Sequence, residues 1–363
     1  MIYLYEPNIN KKSMTRVQET LEKNWLSGNT PIVREFESQF ADFIGVKYAL
    51  ACSSGTTALH LANIVSNITK DDEVIMPSMS YIASANSVKY QHAQPVFVDI
   101  DMSTWQMDVN LIQTKITKKT KAIMPVHLYG GIPNLFEIEK IANKNNLNII
   151  HDSAESLGAK YSKKHAASFK DVAIHSFFPN KIITTGEGGM LLTNNKDIYE
   201  MAKLYSSQGL SGNEEYMHSV IGYNYRMTSL SAALGLEQII DIDLNVEKKL
   251  EILNYYKLKF KDNEIVFQEN EANVESANWL VAILLSEKVD IRELQKYLYK
   301  NDVETKRIFK PIHSQVPYME TNNQSEYKNS DFLYNNGICL PSYPDLTEKQ
   351  IDFISQLIID FIV

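Results

Sequence analysis

The sequence predicts an α/β protein: a mostly parallel seven-stranded sheet covered by helices on both faces, then a smaller α+β unit. Three observations predict it. Seven short apolar runs recur through the first two-thirds of the chain. Helix-like stretches separate them, the alternation that builds a parallel sheet. Near residue 241 the pattern changes to a long charged helix with few strands beyond it.

The elements follow in order. Tyr48–Cys52 reads as a strand and leads into a helix over Thr56–Val65. Strands Glu73–Pro77, Pro95–Ile100 and Ala122–Leu128 come next, then a helix over Leu135–Lys144. Asn148–Asp152, Ile174–Phe178 and Gly189–Thr193 complete the set, with a helix over Lys196–Tyr205 after the last. Several runs are apolar throughout rather than alternating, as expected of strands buried on both faces. Val246–Lys261 reads as a charged amphipathic connector. Beyond it lie a strand, Trp279–Leu285, a helix, Ile291–Leu298, a polar loop, Gln315–Asn329, and a terminal helix, Glu348–Phe361. The expected division is a large unit over 1–245 and a small unit over 246–363. The 363 residues fit two or three domains at roughly 100–200 residues each.

Composition narrows the function classes. At 44% hydrophobic and 22% charged residues, the chain has an ordinary globular balance. Two cysteines, Cys52 and Cys339, exclude a disulfide framework and a Cys-x-x-Cys zinc site. A net charge of −8 without a basic cluster argues against nucleic acid, where phosphate neutralisation dominates affinity. The eight histidines show no metal-ligand spacing, so no metal is expected. Met1–Pro7 lacks the basic and apolar regions of a signal peptide. No apolar run approaches the ~18 residues of a membrane span. A cytoplasmic protein is expected, with no membrane partner.

Three segments could carry chemistry. Ser53-Ser54-Gly55-Thr56-Thr57 follows a strand and opens a helix, where small residues and free N–H groups can receive an anion. It also reads as an ordinary Ser or Thr cap. Asp152, in His151-Asp152-Ser153-Ala154-Glu155, ends a strand at the edge where ligands bind in open α/β sheets. An acid there can hold a cationic ring nitrogen or a metal, or simply cap the next helix. Lys181 stands between an aromatic strand end and the turn Thr184-Thr185-Gly186-Glu187-Gly188-Gly189. A partly desolvated lysine has a lowered pKa and a nucleophilic amine. An anion cradle, an acid for a ring nitrogen and a reactive lysine are the parts that pyridoxal 5′-phosphate (PLP) requires.

On these residues the chain resembles the DegT/DnrJ/StrS family of sugar aminotransferases, of aspartate aminotransferase-like fold (fold type I). The resemblance covers nearly the whole chain. It includes Trp25-Leu26-Ser27-Gly28, Ser54–Leu59, Pro125–Gly130, Asp152–Gly158, Ser176–Lys181 and Gly222-Tyr223-Asn224-Tyr225-Arg226-Met227. Ile221–Thr228 and Leu340–Leu346 resemble most the perosamine-forming and related sugar 4-aminotransferases. By that resemblance Lys181 is the Schiff-base lysine and Asp152 pairs with the pyridine nitrogen. Glu155 falls where many members carry Gln beside the phenolic oxygen. Ser54, Gly55, Thr56 and Ser176 form the phosphate cradle. Tyr81 stacks on the ring, or else packs in the core. Asn224 reaches the phosphate from a neighbouring subunit, or else caps the helix starting near Thr228, so a homodimer with shared sites is implied. Trp25 and His313 match substrate-side positions. His127 and His151 lie near the site, where a structural role is the plain alternative.

The implied activity moves the amino group of L-glutamate to the C4 keto group of a nucleotide-linked 4-keto-6-deoxyhexose. PLP alternates with its pyridoxamine form (PMP), and 2-oxoglutarate leaves. The product would serve O-antigen or other surface polysaccharide. The alternatives are transfer at C3, a PMP-dependent dehydratase, or a non-catalytic homologue. Dehydratases of the family carry His where this chain carries Lys181. GDP, dTDP and UDP sugars all remain open as substrates.

Overall fold

A computed structural model of the chain describes residues 1–169, 171–212, 214–319 and 324–362. Its main sheet has seven strands in the order Tyr48–Cys52, Gly189–Thr193, Val172–Ser176, Asn148–Asp152, Thr120–Ile123, Glu73–Pro77, Gln94–Val98. Gly189–Thr193 runs antiparallel to both its neighbours, and the other pairs are parallel. Four strands match the expected bounds. Val172–Ser176 ends two residues before the expected Phe178, because the chain turns away after Ser176 and sends its two phenylalanines to opposite environments. Phe177 is fully buried against Phe36 and Phe40, with ring centroids 5.5 and 5.3 Å apart, while Phe178 is 45% exposed. Thr120–Ile123 and Gln94–Val98 are likewise shorter or shifted relative to their apolar runs.

The connector helix spans Ile242–Lys259, starting four residues before the expected Val246. A second, antiparallel sheet follows in the order Val266–Phe267, Val281–Leu284, Gly337–Leu340, Lys306–Arg307. The stretch read as a loop over Gln315–Asn329 is partly helical. It holds a 3-10 turn at Gln324–Glu326 and the first residues of a helix, Lys328–Asn336. Residues 320–323 lie outside the described residues. That helix buries Ser330, Leu333 and Asn336, so its inner face carries one apolar side chain and no periodic signal.

The two sheets meet through a shared apolar cluster. Met79, Trp105, Leu128 and Tyr129 from the first part pack with Trp279, Leu280, Leu284 and Cys339 from the second. The carboxyl ends of the parallel strands open toward this junction, and the candidate site lies there.

Candidate active site

The site is built upward from four strand ends. After Cys52 the chain turns into the helix Gly55–Val65, whose N-cap is Ser54. The Ser54 hydroxyl accepts from the Thr57 N–H at 3.1 Å, and the Thr57 hydroxyl accepts from the Ser54 N–H at 3.0 Å. This capping box leaves the N–H groups of Gly55 and Thr56 without partners inside the helix. A methyl group on Gly55 would stand 2.9 Å from the Ser176 Cβ. Only glycine lets the helix end approach the neighbouring strand this closely. The helix N-terminus, its two free N–H groups and the Ser176 hydroxyl thus make an anion cradle.

Asp152 ends its strand one position from Ser153 and is buried. One carboxylate oxygen accepts from the Ser84 hydroxyl at 2.6 Å, and the other from the Ala154 N–H at 3.2 Å. Burial pushes its carboxyl above the ordinary range, opposed by the Ser84 hydrogen bond and by Lys181. Glu155 is also buried, and accepts the Tyr129 N–H at 2.9 Å. Tyr129 takes a left-handed backbone (φ 54°), unusual for an aromatic residue, to present that N–H.

Lys181 lies on the segment joining Ser176 to Gly189. Its Nζ stands 3.6 Å from a Glu155 carboxylate oxygen and 3.6 Å from the centre of the Trp279 ring. Burial lowers the lysine pKa, while the carboxylates of Glu155 and Asp152 pull it up. Burial also raises the Glu155 carboxyl, with Lys181 opposing. Burial thus brings the acid and the amine closer in basicity, the arrangement that proton transfer to and from a substrate uses.

A cavity of about 570 Å³ joins these groups. It is lined by Ser54, Gly55, Thr56, Tyr81, Asp152, Glu155, Ser176 and Lys181, eight of the residues singled out from the sequence. Tyr81 is 60% exposed, so it is no core residue, and it leans against Phe309 with centroids 5.9 Å apart.

Three expected residues do not line it. Trp25 packs against the cluster around Phe36 and Phe40, under the Lys23 ammonium. His313 is fully buried elsewhere: Nδ1 lies 2.6 Å from the Ser78 hydroxyl, the ring stacks on Tyr327, and Nε2 is 3.4 Å from Asp331. Its imidazole joins the turn Ile312–Ser314 to Ser78 and Asp331, outside the cavity lining. Asn224 is exposed outside the cavity, in a bridge with Ser207, and Thr228 itself caps the following helix. His127 and His151 are buried together, His127 Nε2 lying 3.3 Å from His151 Nδ1, and His127 also meets the Ser156 hydroxyl.

Sequence reasoning missed Ser84, Tyr129, Trp279 and Phe309. Tyr129 falls inside a motif already quoted, and Ser84 lies three residues after Tyr81. Trp279 lies just before the strand Val281–Leu284 and Phe309 just after Lys306–Arg307, and only rarity marked Trp279, one of three tryptophans. Tyr129, Trp279 and Phe309 stack with centroids 5.5–6.2 Å apart and wall the cavity from that side. Among the described residues, no group of three His, Cys, Asp or Glu could hold a metal ion, and no helix is long and apolar enough to cross a membrane.

Residues 7–358 match the DegT/DnrJ/EryC1/StrS aminotransferase family. The chain is 41% identical to a GDP-perosamine synthase of Escherichia coli O157:H7, over 99% of this chain and 98% of that protein. Among solved structures it is similar to Helicobacter pylori PseC, an aminotransferase involved in the biosynthesis of pseudoaminic acid (TM-score 0.93, 27% identity, 99% of this chain, 98% of that one). It is also similar to the PLP-form of a putative sugar aminotransferase from Streptococcus pneumoniae (TM-score 0.92, 26% identity, 97% and 96% covered).

Proposed function

The chain belongs to the DegT/DnrJ/EryC1/StrS aminotransferase family, and we propose that it aminates C4 of a GDP-linked 4-keto-6-deoxyhexose, with L-glutamate as donor. It is a PLP-dependent aminotransferase. The observation that carries the substrate reading is full-length likeness to a GDP-perosamine synthase, together with a lysine at position 181. The product would be of perosamine type, used in surface polysaccharide.

The residues present fit the cofactor. A Cβ at Gly55 would intrude on the anion cradle, and the two free N–H groups there suit a phosphate. Asp152 is a buried acid with one hydroxyl and one N–H already holding it in place. When bound, PLP supplies an electron-accepting ring and carries the amino group between the two substrates. Ser54, Gly55, Thr56 and Ser176 hold its phosphate. Asp152 would keep a proton on the ring nitrogen, Tyr81 would stack on the ring, and Glu155, its charge tempered by burial, would serve beside them in the same cavity. Lys181 would anchor the cofactor through its amine and, with Glu155 3.6 Å away, would hold and move a proton at Nζ. The wall of Tyr129, Trp279 and Phe309 keeps water from that proton. A second copy of the chain supplies Asn224 to the phosphate, so the working unit is a dimer. The chain divides into a cofactor-binding unit over 1–245 and a small unit over 246–363.

A panel of GDP-, dTDP- and UDP-linked 4-ketosugars with glutamate, read by mass spectrometry and product NMR, tests this reading. Amination at C4 of the GDP sugar is expected. Amination at C3, loss of a hydroxyl, or turnover only with another nucleotide would overturn it.

A further inference from the structure

Three consecutive backbone carbonyls around Lys181 are each held by a side chain from far along the sequence. The Trp279 indole N–H donates to the Asn180 carbonyl at 2.7 Å. The Tyr5 hydroxyl donates to the carbonyl of Lys181 itself at 2.5 Å. The Asn245 amide lies 3.5 Å from the Ile182 carbonyl, its donor pointing there. The three donors come from the loop before the strand Val281–Leu284, the N-terminal segment and the connector helix. None belongs to the strands that flank the lysine.

The N-terminal segment is itself a strap laid on the second sheet. Ile2 pairs with Val303 through Ile2 N–H to Asp302 and Glu304 N–H to Ile2, at 2.6 and 2.8 Å. The Leu4 N–H donates to the Glu304 carboxylate at 3.1 Å, and the Leu4 carbonyl accepts from Ser342 at 3.3 Å. Leu4 is buried and lines the cavity. The Tyr5 ring lies 5.1 Å from the ammonium of Lys249, a fully buried lysine that also donates to the Ser342 carbonyl. Tyr5 is therefore fixed on one side by the strap and on another by Lys249, with its hydroxyl delivered to Lys181. Burial pushes the phenol pKa up, so the hydroxyl keeps its proton and remains a donor through the working range.

We propose that Tyr5 is a positioning residue for Lys181, holding the lysine's carbonyl so that its amine stands between Glu155 and Trp279. The inference rests on the assignment of Lys181 as the cofactor-anchoring amine. A hydrogen bond to a backbone carbonyl does not alter the amine by charge. It acts by geometry, restricting the positions from which the long side chain can reach its partners. Without it the amine samples wetter positions, and the desolvation that lowers its pKa relaxes.

The test uses apoprotein of wild type, Tyr5→Phe, Glu304→Ala and Lys181→Ala. Tyr5→Phe removes one hydroxyl and keeps the ring beside Lys249. Each protein is mixed with PLP across a pH series, attachment is fixed with borohydride, and the rate is read by mass spectrometry. Tyr5→Phe is expected to shift the midpoint of the pH profile upward and to slow attachment at neutral pH by roughly three- to tenfold, the worth of one hydrogen bond. Glu304→Ala, which frees the strap at Leu4 without touching the hydroxyl, should shift it the same way by less. A midpoint that stays or falls in Tyr5→Phe overturns the proposal, whatever the melting temperature does. Should Tyr5→Phe fail to fold, Glu304→Ala decides by the same criterion. Lys181→Ala should show no attachment. Unchanged attachment in that variant would overturn the assignment of Lys181 instead, a failure distinct from that of Tyr5.

Discussion

Asp152 shows how one residue's task depends on its immediate surroundings. Its carboxylate is buried, yet Ser84 and the Ala154 N–H hold both oxygens, and Lys181 supplies a compensating charge. Asn would preserve the shape, with its oxygen accepting from the Ala154 N–H and its amide donating to a Ser84 hydroxyl that must reverse its role, while removing the charge that keeps a ring nitrogen protonated. Asp152→Asn should therefore retain the fold, lose PLP on dialysis, and slow bleaching by glutamate on the order of a hundredfold or more. Stopped-flow absorbance measures it, and wild-type bleaching would show Asp152 to be only a structural cap. Asp152 and Lys181 were legible in the sequence because residue type, strand end and neighbouring turn lie within a few positions. Tyr5 was not, since its bond to the Lys181 carbonyl spans 176 residues and nothing local to either end announces it. The contacts of His313 were hidden for the same reason: its partners Ser78 and Asp331 are distant or silent in the sequence.

At the scale of elements, the helix Gly55–Val65 is the clearest case of sequence specifying both structure and site. Strand, cap and small residues succeed one another without interruption, and the helix appears with its capping box. Gly55→Ala should leave the cap intact but set a methyl 2.9 Å from the Ser176 Cβ. Overpacking of this kind costs about 1–3 kcal/mol. The strain falls on the cradle, so the PLP dissociation constant should rise roughly ten- to a hundredfold by equilibrium titration. An unchanged constant would place the phosphate elsewhere. Strands buried on both faces, such as Glu73–Pro77 and Gly189–Thr193, were readable because continuous apolar runs have few alternatives. The helix Lys328–Asn336 was not, since its stability comes from Ser330 and Asn329 bonding to Asp99 and Ile100, contacts no periodicity encodes. The two-residue strands Val266–Phe267 and Lys306–Arg307 are likewise too short to pattern.

For the whole molecule, three buried histidines make stability depend on pH. Burial lowers the pKa of His151 to about 4 and of His175 to about 3, and lowers that of His127 well below its ordinary value. Each is neutral in the fold, so the unfolded chain binds more protons below about 6.5. Their contribution is complete above that pH and is lost as pH falls toward the folded values. Glu37, pushed up to about 7 by burial, acts in the opposite sense, so substitution must isolate the histidine effect. His151→Asn keeps a partner for His127 and should flatten the fall in melting temperature on acidification. An identical slope would mean that His151 does not titrate in this range. Asn224 is exposed, and so are Ile221 and Tyr216 of the same stretch of chain, at 91% and 81%. If Asn224 serves the neighbouring subunit, mixing Lys181→Ala with Asn224→Ala gives dimers with one site doubly lesioned and one intact. Activity should then exceed the sum of the two parents. No gain from mixtures proven to exchange subunits, with Asn224→Ala itself impaired, would place Asn224 in its own site.

The strap gives the chain an order of completion. Residues 2–5 leave the ribosome first, yet Ile2 and Leu4 find their partners only at 302–304, and Leu4 again at Ser342. Tyr48–Cys52 likewise waits for Gly189–Thr193 before it has any neighbour in its sheet. Domains fold from the N-terminal side as they are synthesised, but here the carbonyls around the reactive lysine gain all three donors only after the small sheet has formed. A nascent or prematurely terminated chain therefore carries Lys181 without the frame that aims it. A chain ending before residue 279 lacks the Trp279 donor to Asn180, and one ending before 302 lacks the backbone that holds the strap.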